Sequence, residues 1–169
     1  MIAMVEPQSD EQLADLYRQH YRSLVRLAAL LLDDRAASEE VVQDAFVKLH
    51  QSWDRVADPT KRVAYLRSVV LNGARTRGRR RQARARLQIV DPGFAESAET
   101  GAIRAEDHRE VLVALRSLPG RQRDCLVLRY YLDLSEASIA ETLGISPGSV
   151  KTHTHRGMAS LARALEPRQ

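Results

Sequence analysis

The sequence predicts an all-α protein built as two small helical domains joined by a flexible linker. Apolar residues recur at three- and four-residue spacing along most of the chain, the period of a helix with one buried face. They are mostly Leu, Ala and Val; hydrophobic residues make up 44% of the chain and aromatic ones only 5%. That usage favours helices over sheets. No segment shows the strict alternation of a half-buried strand, and one aperiodic stretch divides the chain.

The first helix is expected to begin at Ser9, where Gln12 three residues on completes a capping box. Met1–Gln8 reads as disordered. Leu13, Leu16, Tyr17, Leu24, Leu27, Ala28 and Leu31 form the apolar stripe of that helix. Asp33-Asp34 breaks it, and Asp34 is placed to cap a second helix carrying Val41, Val42, Ala45, Phe46, Leu49 and Trp53. The opposite face of the second helix is polar, with Glu39, Glu40, Gln43, Asp44 and Lys48. Asp58-Pro59 marks a loop. A third helix runs from about Lys61 into a row of arginines, with Tyr65, Leu66, Val69, Val70 and Ala74 turned inward.

From about Leu87 to Ala105 the chain is rich in Pro, Gly, Ser and acids, and Asp91-Pro92-Gly93 is a strong breaker. This segment reads as the linker. Glu106–Ser117 is the fourth helix. Pro119 opens a fifth, with Cys125, Leu126, Leu128, Tyr131 and Leu132 expected inside. The division is therefore a three-helix domain over 9–86, a linker over 87–105 and a four-helix domain over 106–166.

The last part of the chain carries the most specific signal. Ser135 can cap a helix bearing Ile139, Ala140 and Leu143. Gly144 can end it in the left-handed conformation. Ser146-Pro147 can start the next helix. Ala140, Gly144 and Val150 have the spacing of a helix-turn-helix: small at the crossing, Gly in the turn, β-branched behind it. The outer face of the second helix then presents Lys151, Thr152, His155 and Arg156, whose donors suit base edges and phosphates in a major groove. The alternative is an ordinary helical hairpin with a polar face.

Charge supports a polyanionic partner. The net charge is +4 and the sequence pI about 9.6. Between Lys61 and Arg86 lie ten basic residues and no acidic one. Between Asp91 and Glu110 six acids outnumber two arginines. The longest apolar run, Leu27–Leu32, is far too short to span a bilayer, no membrane association is expected, and no signal-peptide pattern opens the chain. A cytoplasmic location follows as the expectation. The single cysteine, Cys125, excludes an internal disulfide and any cysteine-cluster metal site. His153 and His155, two apart on a helix, do not share a face. No metal and no cofactor are expected. There is no nucleophile–base pairing and no phosphate-binding glycine loop, so an enzyme is not expected.

Taken in order, the motifs resemble a known family. The stretches LYRQHYRSLVRLAALLLDD, ASEEVVQDAFVKLHQSW, AYLRSVVLNGARTRGRRR and SLPGRQRDCLVLRYYLDLS, followed by the helix-turn-helix, are similar to bacterial sigma factors of the extracytoplasmic-function (ECF) group, sigma-70 family, closest to actinobacterial members. The resemblance covers Leu13–Leu165. It implies a sigma-2-like bundle and a sigma-4-like helix-turn-helix domain, and a protein that binds core RNA polymerase, directs it to −35 and −10 promoter elements and helps melt the DNA.

The resemblance also implies roles for individual residues. Glu40, Gln43, Asp44, Lys48 and Trp53 would meet the β and β′ subunits of polymerase. The segment Asp58–Val63, with Asp58, Thr60, Lys61 and Arg62, would form a loop that captures an unstacked base of the −10 non-template strand. Tyr65 would offer a ring, where many relatives carry Trp, and Asn72 a base-pairing edge; Tyr65 is equally readable as a core aromatic. Arg75, Arg79 and Arg80, with Arg77, Arg81, Arg84 and Arg86, would neutralise phosphates. Ser149, Lys151, Thr152, His155 and Arg156 match positions that face the −35 major groove, with Arg156 suited to guanine and His153 departing from the usual Arg. The acidic linker would thread the polymerase channel. Regulation is expected from a separate anti-sigma factor, since the chain ends shortly after the helix-turn-helix. A stand-alone DNA-binding regulator with an N-terminal sensor or dimerisation bundle is the alternative. Asp58–Arg86 discriminates, because a sensor does not require that basic single-strand surface.

Overall fold

A computed structural model describes residues 7–87 and 102–166. Among the described residues seven helices form: α1 (Pro7–Leu32), α2 (Arg35–Gln51), α3 (Pro59–Leu87), α4 (Ala102–Ser117), α5 (Gly120–Leu126), α6 (Glu136–Leu143) and α7 (Pro147–Leu165). A π-helical turn, Val127–Tyr131, extends α5. No strand occurs among the described residues. No helix among them is long and apolar enough to cross a membrane.

The chain divides into two compact units, residues 1–78 and 79–169. The division falls inside α3, upstream of the boundary expected at residue 86. Most of the expected linker lies outside the described residues, but its last part, from Ala102, is already the first turn of α4.

In the first unit the helix termini are set locally. Helix α1 starts at Pro7, so Ser9 lies within it rather than capping it. A proline ring fits a first helical turn, where its missing N–H has no intrahelical partner. Asp33 leaves α1 with a left-handed φ of 51°. The Asp34 side chain then accepts a hydrogen bond from the Ala37 N–H at 3.0 Å and caps α2 as expected. Leu24, Leu27, Ala28 and Leu31 of α1 are buried, as are Val41, Val42, Ala45, Phe46 and Leu49 of α2 and Leu66, Val70, Leu71 and Ala74 of α3. Tyr17 was expected in the stripe but is exposed, stacked on Tyr21 with ring centroids 4.6 Å apart. Tyr65 and Val69 are only half-buried, and Leu71 takes an inner position instead.

The second unit packs α4, α5, α6 and α7 around Cys125, Leu126, Val127, Leu128, Ile139, Leu143 and Val150. Helix α7 crosses α5 at Gly157. A Cβ added there would lie 3.1 Å from Leu126 Cγ and 3.2 Å from the Gln122 carbonyl oxygen, so a side chain at this position would force its neighbours to give way. The π-helical turn overturns one expectation. The Leu132 N–H donates to the Val127 carbonyl five residues back at 3.2 Å. The extra residue per turn rotates the following side chains. Tyr131, expected inside, faces solvent beside Tyr130, and Leu132 is half-buried.

Candidate nucleic-acid interface

The helix-turn-helix forms as the local residues dictate. Ser135 Oγ accepts the Ser138 N–H at 3.1 Å and starts α6. Gly144 ends it in the left-handed conformation, φ 64° and ψ 36°. Arg121 Nη1 donates to the Leu143 carbonyl at 3.1 Å, satisfying an acceptor that the helix end leaves open. Ser146 Oγ accepts the Ser149 N–H at 3.1 Å and Pro147 occupies the first turn of α7. Val150 is buried against the unit's core. The turn is therefore fixed by caps at both sides and one apolar anchor.

This geometry leaves Lys151, Thr152, His155 and Arg156 exposed on α7. Spacings of one, four and five residues place them on one face. Ser149 is half-buried and its hydroxyl lies 2.9 Å from that of Ser146, so it serves the cap. Thr152 Oγ1 donates back to the Gly148 carbonyl at 3.1 Å. Lys151 Nζ stands 3.8 Å from a Glu136 carboxylate oxygen, an exposed pair that is easily exchanged. His153 is half-buried and His155 exposed. Among the described residues no group of three or more His, Cys, Asp or Glu side chains is placed to hold a metal.

The surface on the first unit differs from the expectation in three respects. First, Asp58–Val63 is no loop. Asp58 caps α3, its Oδ1 accepting from Thr60 Oγ1 at 2.7 Å and from the Thr60 N–H at 2.9 Å, and Pro59 begins the helix. Those two hydrogen bonds, the hydroxyl's first, hold the Asp58 carboxyl below the usual carboxylate range. Second, Arg62 is buried. Its Nε donates to the Val56 carbonyl at 3.1 Å and its Nη1 to Gln12 Oε1 at 2.9 Å. Its guanidinium carbon lies 3.7 Å from the centroid of a Trp53 ring. Arg62 therefore ties α3 to α1 and to the α2–α3 connection, and is removed from the DNA-contact set. Trp53 is half-buried, with one ring face covered by that guanidinium. Third, Arg77 turns to α2. Its Nη1 is 2.6 Å from Glu40 Oε2 and its Nη2 is 3.6 Å from Asp44 Oδ2.

Lys61, Asn72, Arg79 and Arg80 are exposed on α3, and Arg75 is half-buried. Tyr65 is half-buried with its hydroxyl 3.4 Å from Ser52 Oγ. On α2, Glu40, Gln43, Asp44 and Lys48 are exposed.

The family described as Sigma-70 region 2 matches residues 16–84, and that described as Sigma-70, region 4 matches residues 108–161. The RNA polymerase sigma-E factor of Streptomyces avermitilis is 34% identical over 154 residues, which cover 89% of this chain and 83% of that protein. The chain belongs to the ECF group of the sigma-70 family. It is similar as well to the ECF RNA polymerase sigma factor SigM of Mycobacterium tuberculosis, 32% identical over 155 residues covering 89% of this chain and 75% of the relative. Among solved structures, CnrH in complex with the cytosolic domain of CnrY is 26% identical with a TM-score of 0.67, covering 91% of this chain and 87% of that one. The sigma factor RpoE in complex with the anti-sigma factor NepR from Bartonella quintana shares the fold, at 19% identity and a TM-score of 0.68 over 92% of this chain and 98% of that one.

The protein is thus a sigma factor and acts in transcription initiation. Two features of this sigma factor escape sequence reasoning. One is an apolar groove of about 480 Å³ between α1 and α2, floored by Leu13, Ala14, Tyr17, Phe46 and Val47. Val47 lay on the face read as polar, so no periodic signal marked it. The other is the outward pair Tyr130–Tyr131, which depends on the π-helical turn.

Proposed function

We propose that the second unit reads a −35 element through Lys151, Thr152, His155 and Arg156, while the first unit docks on the β and β′ subunits of core polymerase through Glu40, Gln43, Asp44 and Lys48 and holds the −10 non-template strand along α3 with Lys61, Tyr65, Asn72, Arg75, Arg79 and Arg80. Domain limits near 9–86 and 106–166 suit this division of labour. The observation that carries the reading is the exposed polar face of α7, presented by a turn capped at Ser135, Gly144 and Ser146. Arg156 has the two-pronged donors that suit guanine, and Thr152 a methyl and hydroxyl that suit thymine or phosphate. Asp58 and Thr60 support the start of α3 rather than contact a base. Trp53 supports the docking face from within, beneath Arg62.

The sigma factor contributes no catalytic group; nucleotide addition belongs to the polymerase. Work with the polymerase places it in the cytoplasm. By likeness to the RpoE–NepR structure, a separate anti-sigma protein holds it inactive. The test is in vitro transcription from a promoter library with core polymerase alone and with this protein added. New sequence-specific starts that appear only with the protein are expected, and they define both promoter motifs. Absence of new starts, with specific duplex binding by the protein alone, would overturn the reading in favour of a stand-alone regulator.

A further inference from the structure

Glu40 and Asp44, one helical turn apart on α2, converge on the single guanidinium of Arg77. They belong to the face proposed to dock on polymerase. Arg77 belongs to the arginine row of α3 proposed to meet the promoter strand. One side chain therefore joins the two surfaces. Helical arithmetic sets Arg77 about 140° around α3 from Asn72, so it does not share the face that would read the −10 bases. It precedes Arg80 by three residues on the same helix, within reach of the same backbone phosphates. The carboxylates are 62% and 67% exposed and the arginine 33%. An ion pair this open to water is held weakly and is exchanged at small cost.

We propose that core polymerase and promoter DNA compete for the two ends of this ion pair, so that docking on Glu40 and Asp44 hands the charge of Arg77 to the promoter strand. The inference rests on the docking reading given above. In the free protein Arg77 masks two of the acids that polymerase meets, and the same acids mask Arg77 from phosphate. When basic groups of polymerase take the carboxylates, Arg77 is left beside Arg80 among like charges, and a phosphate becomes its best partner. By linkage the reverse also holds: DNA that takes Arg77 unmasks the docking acids and tightens core binding by the same factor.

The test measures two affinities with the full chain. Core affinity is titrated by fluorescence; binding of the assembled holoenzyme to a promoter fork carrying the −10 non-template strand is measured against salt. For Arg77→Ala, core affinity is expected to rise about two- to fivefold, because the acids are unmasked. Holoenzyme binding to the fork is expected to weaken by a similar factor. Its salt slope should become shallower by about 0.7–0.9, the share of one phosphate contact. Arg77→Lys, which keeps the charge, should restore that slope. A plain structural brace predicts different signs: both affinities fall together with thermal stability, and that result overturns the proposal. Unchanged affinities and an unchanged slope overturn it equally, as does failure of the lysine variant to restore the slope. Failure of the docking reading itself shows separately, as wild-type protein that does not saturate with core polymerase.

Discussion

Replacing Arg62 separates a structural arginine from a DNA-binding one. Its guanidinium makes two good hydrogen bonds, to the Val56 carbonyl at 3.1 Å and to Gln12 Oε1 at 2.9 Å, and a long one of 3.5 Å to the Ala57 carbonyl. It also covers the Trp53 ring. A hydrogen bond from a charged donor contributes about 1.5–3 kcal/mol, and a partly desolvated cation–π contact about 0.5–2 kcal/mol. Against these stands the cost of taking the guanidinium out of water. Arg62→Ala should therefore destabilise the first unit by about 3 kcal/mol. Trp53 is the chain's single tryptophan and touches the mutated group, so its fluorescence reports unfolding of this unit alone. In urea the midpoint should fall by about 2 M for a unit of this size. Arg62→Lys should recover little, because an ammonium cannot reach both acceptors while lying flat on the indole. An unchanged midpoint together with weakened −10 strand binding would refute the argument and return Arg62 to the DNA-contact set.

Three further outcomes are expected. Gly157→Ala should destabilise the second unit by about 0–2 kcal/mol net in thermal unfolding, because crowding of the new methyl against the Gln122 carbonyl and Leu126 costs about 1–3 kcal/mol against a gain of about 1 kcal/mol in helix propensity. Arg156→Ala should cost about 1–3 kcal/mol on promoters with the preferred −35 base and leave core binding intact, whereas an equal loss on all promoters would assign the residue to phosphate. Burial, with the Asp124 charge next, pushes the Cys125 thiol up to about 11. A group raised on folding adds stability below its unfolded value and loses it as pH rises through the folded one. Stability of the second unit should thus decline from about pH 9 toward 11, and iodoacetamide at pH 8 should label Cys125 only after unfolding. Labelling of the native protein at the unfolded rate would refute this.

The parts of the fold legible in the sequence are those decided within one turn of chain. Asp34, Ser135 and Ser146 cap the helices they precede because each needs only its own side chain and an N–H three residues on. Gly144 takes the left-handed exit for a reason equally local. The inner faces of α2 and α6 follow from period alone. What escaped the sequence depends on partners distant in it or on a local departure from α-helical winding. Arg62 looked like one more member of a basic run, and only the arrival of Gln12, fifty positions earlier, shows it to be internal. Tyr131 held an apolar-looking position that a single π-helical turn rotated outward. Arg77 looked equivalent to Arg79 until the acids of α2 were placed beside it. For the candidate site, the α7 face was readable because caps and spacing define it; the α3 face was readable as basic but not as to which arginines remain for DNA.

The end of α3 tightens this point. From Arg79 onward every described residue of the helix is exposed, so burial does little to hold it. Arg80 and Arg84 lie four apart, a like-charge spacing that costs an isolated helix about 0.2–0.5 kcal/mol per pair. Only Arg84 and Arg86, in the last turn, gain from the helix dipole. Burial does not offset the repulsion along this exposed helix end. A polyanion does: each phosphate would remove a repulsion as well as add an attraction, so the helix end and a bound strand would stabilise one another. The same repulsion acts on Arg77 and is relieved by Glu40 and Asp44 in the free protein. On the proposed reading, phosphates of the promoter strand and the carboxylates on α2 are alternative answers to one electrostatic problem, and the Arg77 variants decide whether the one replaces the other.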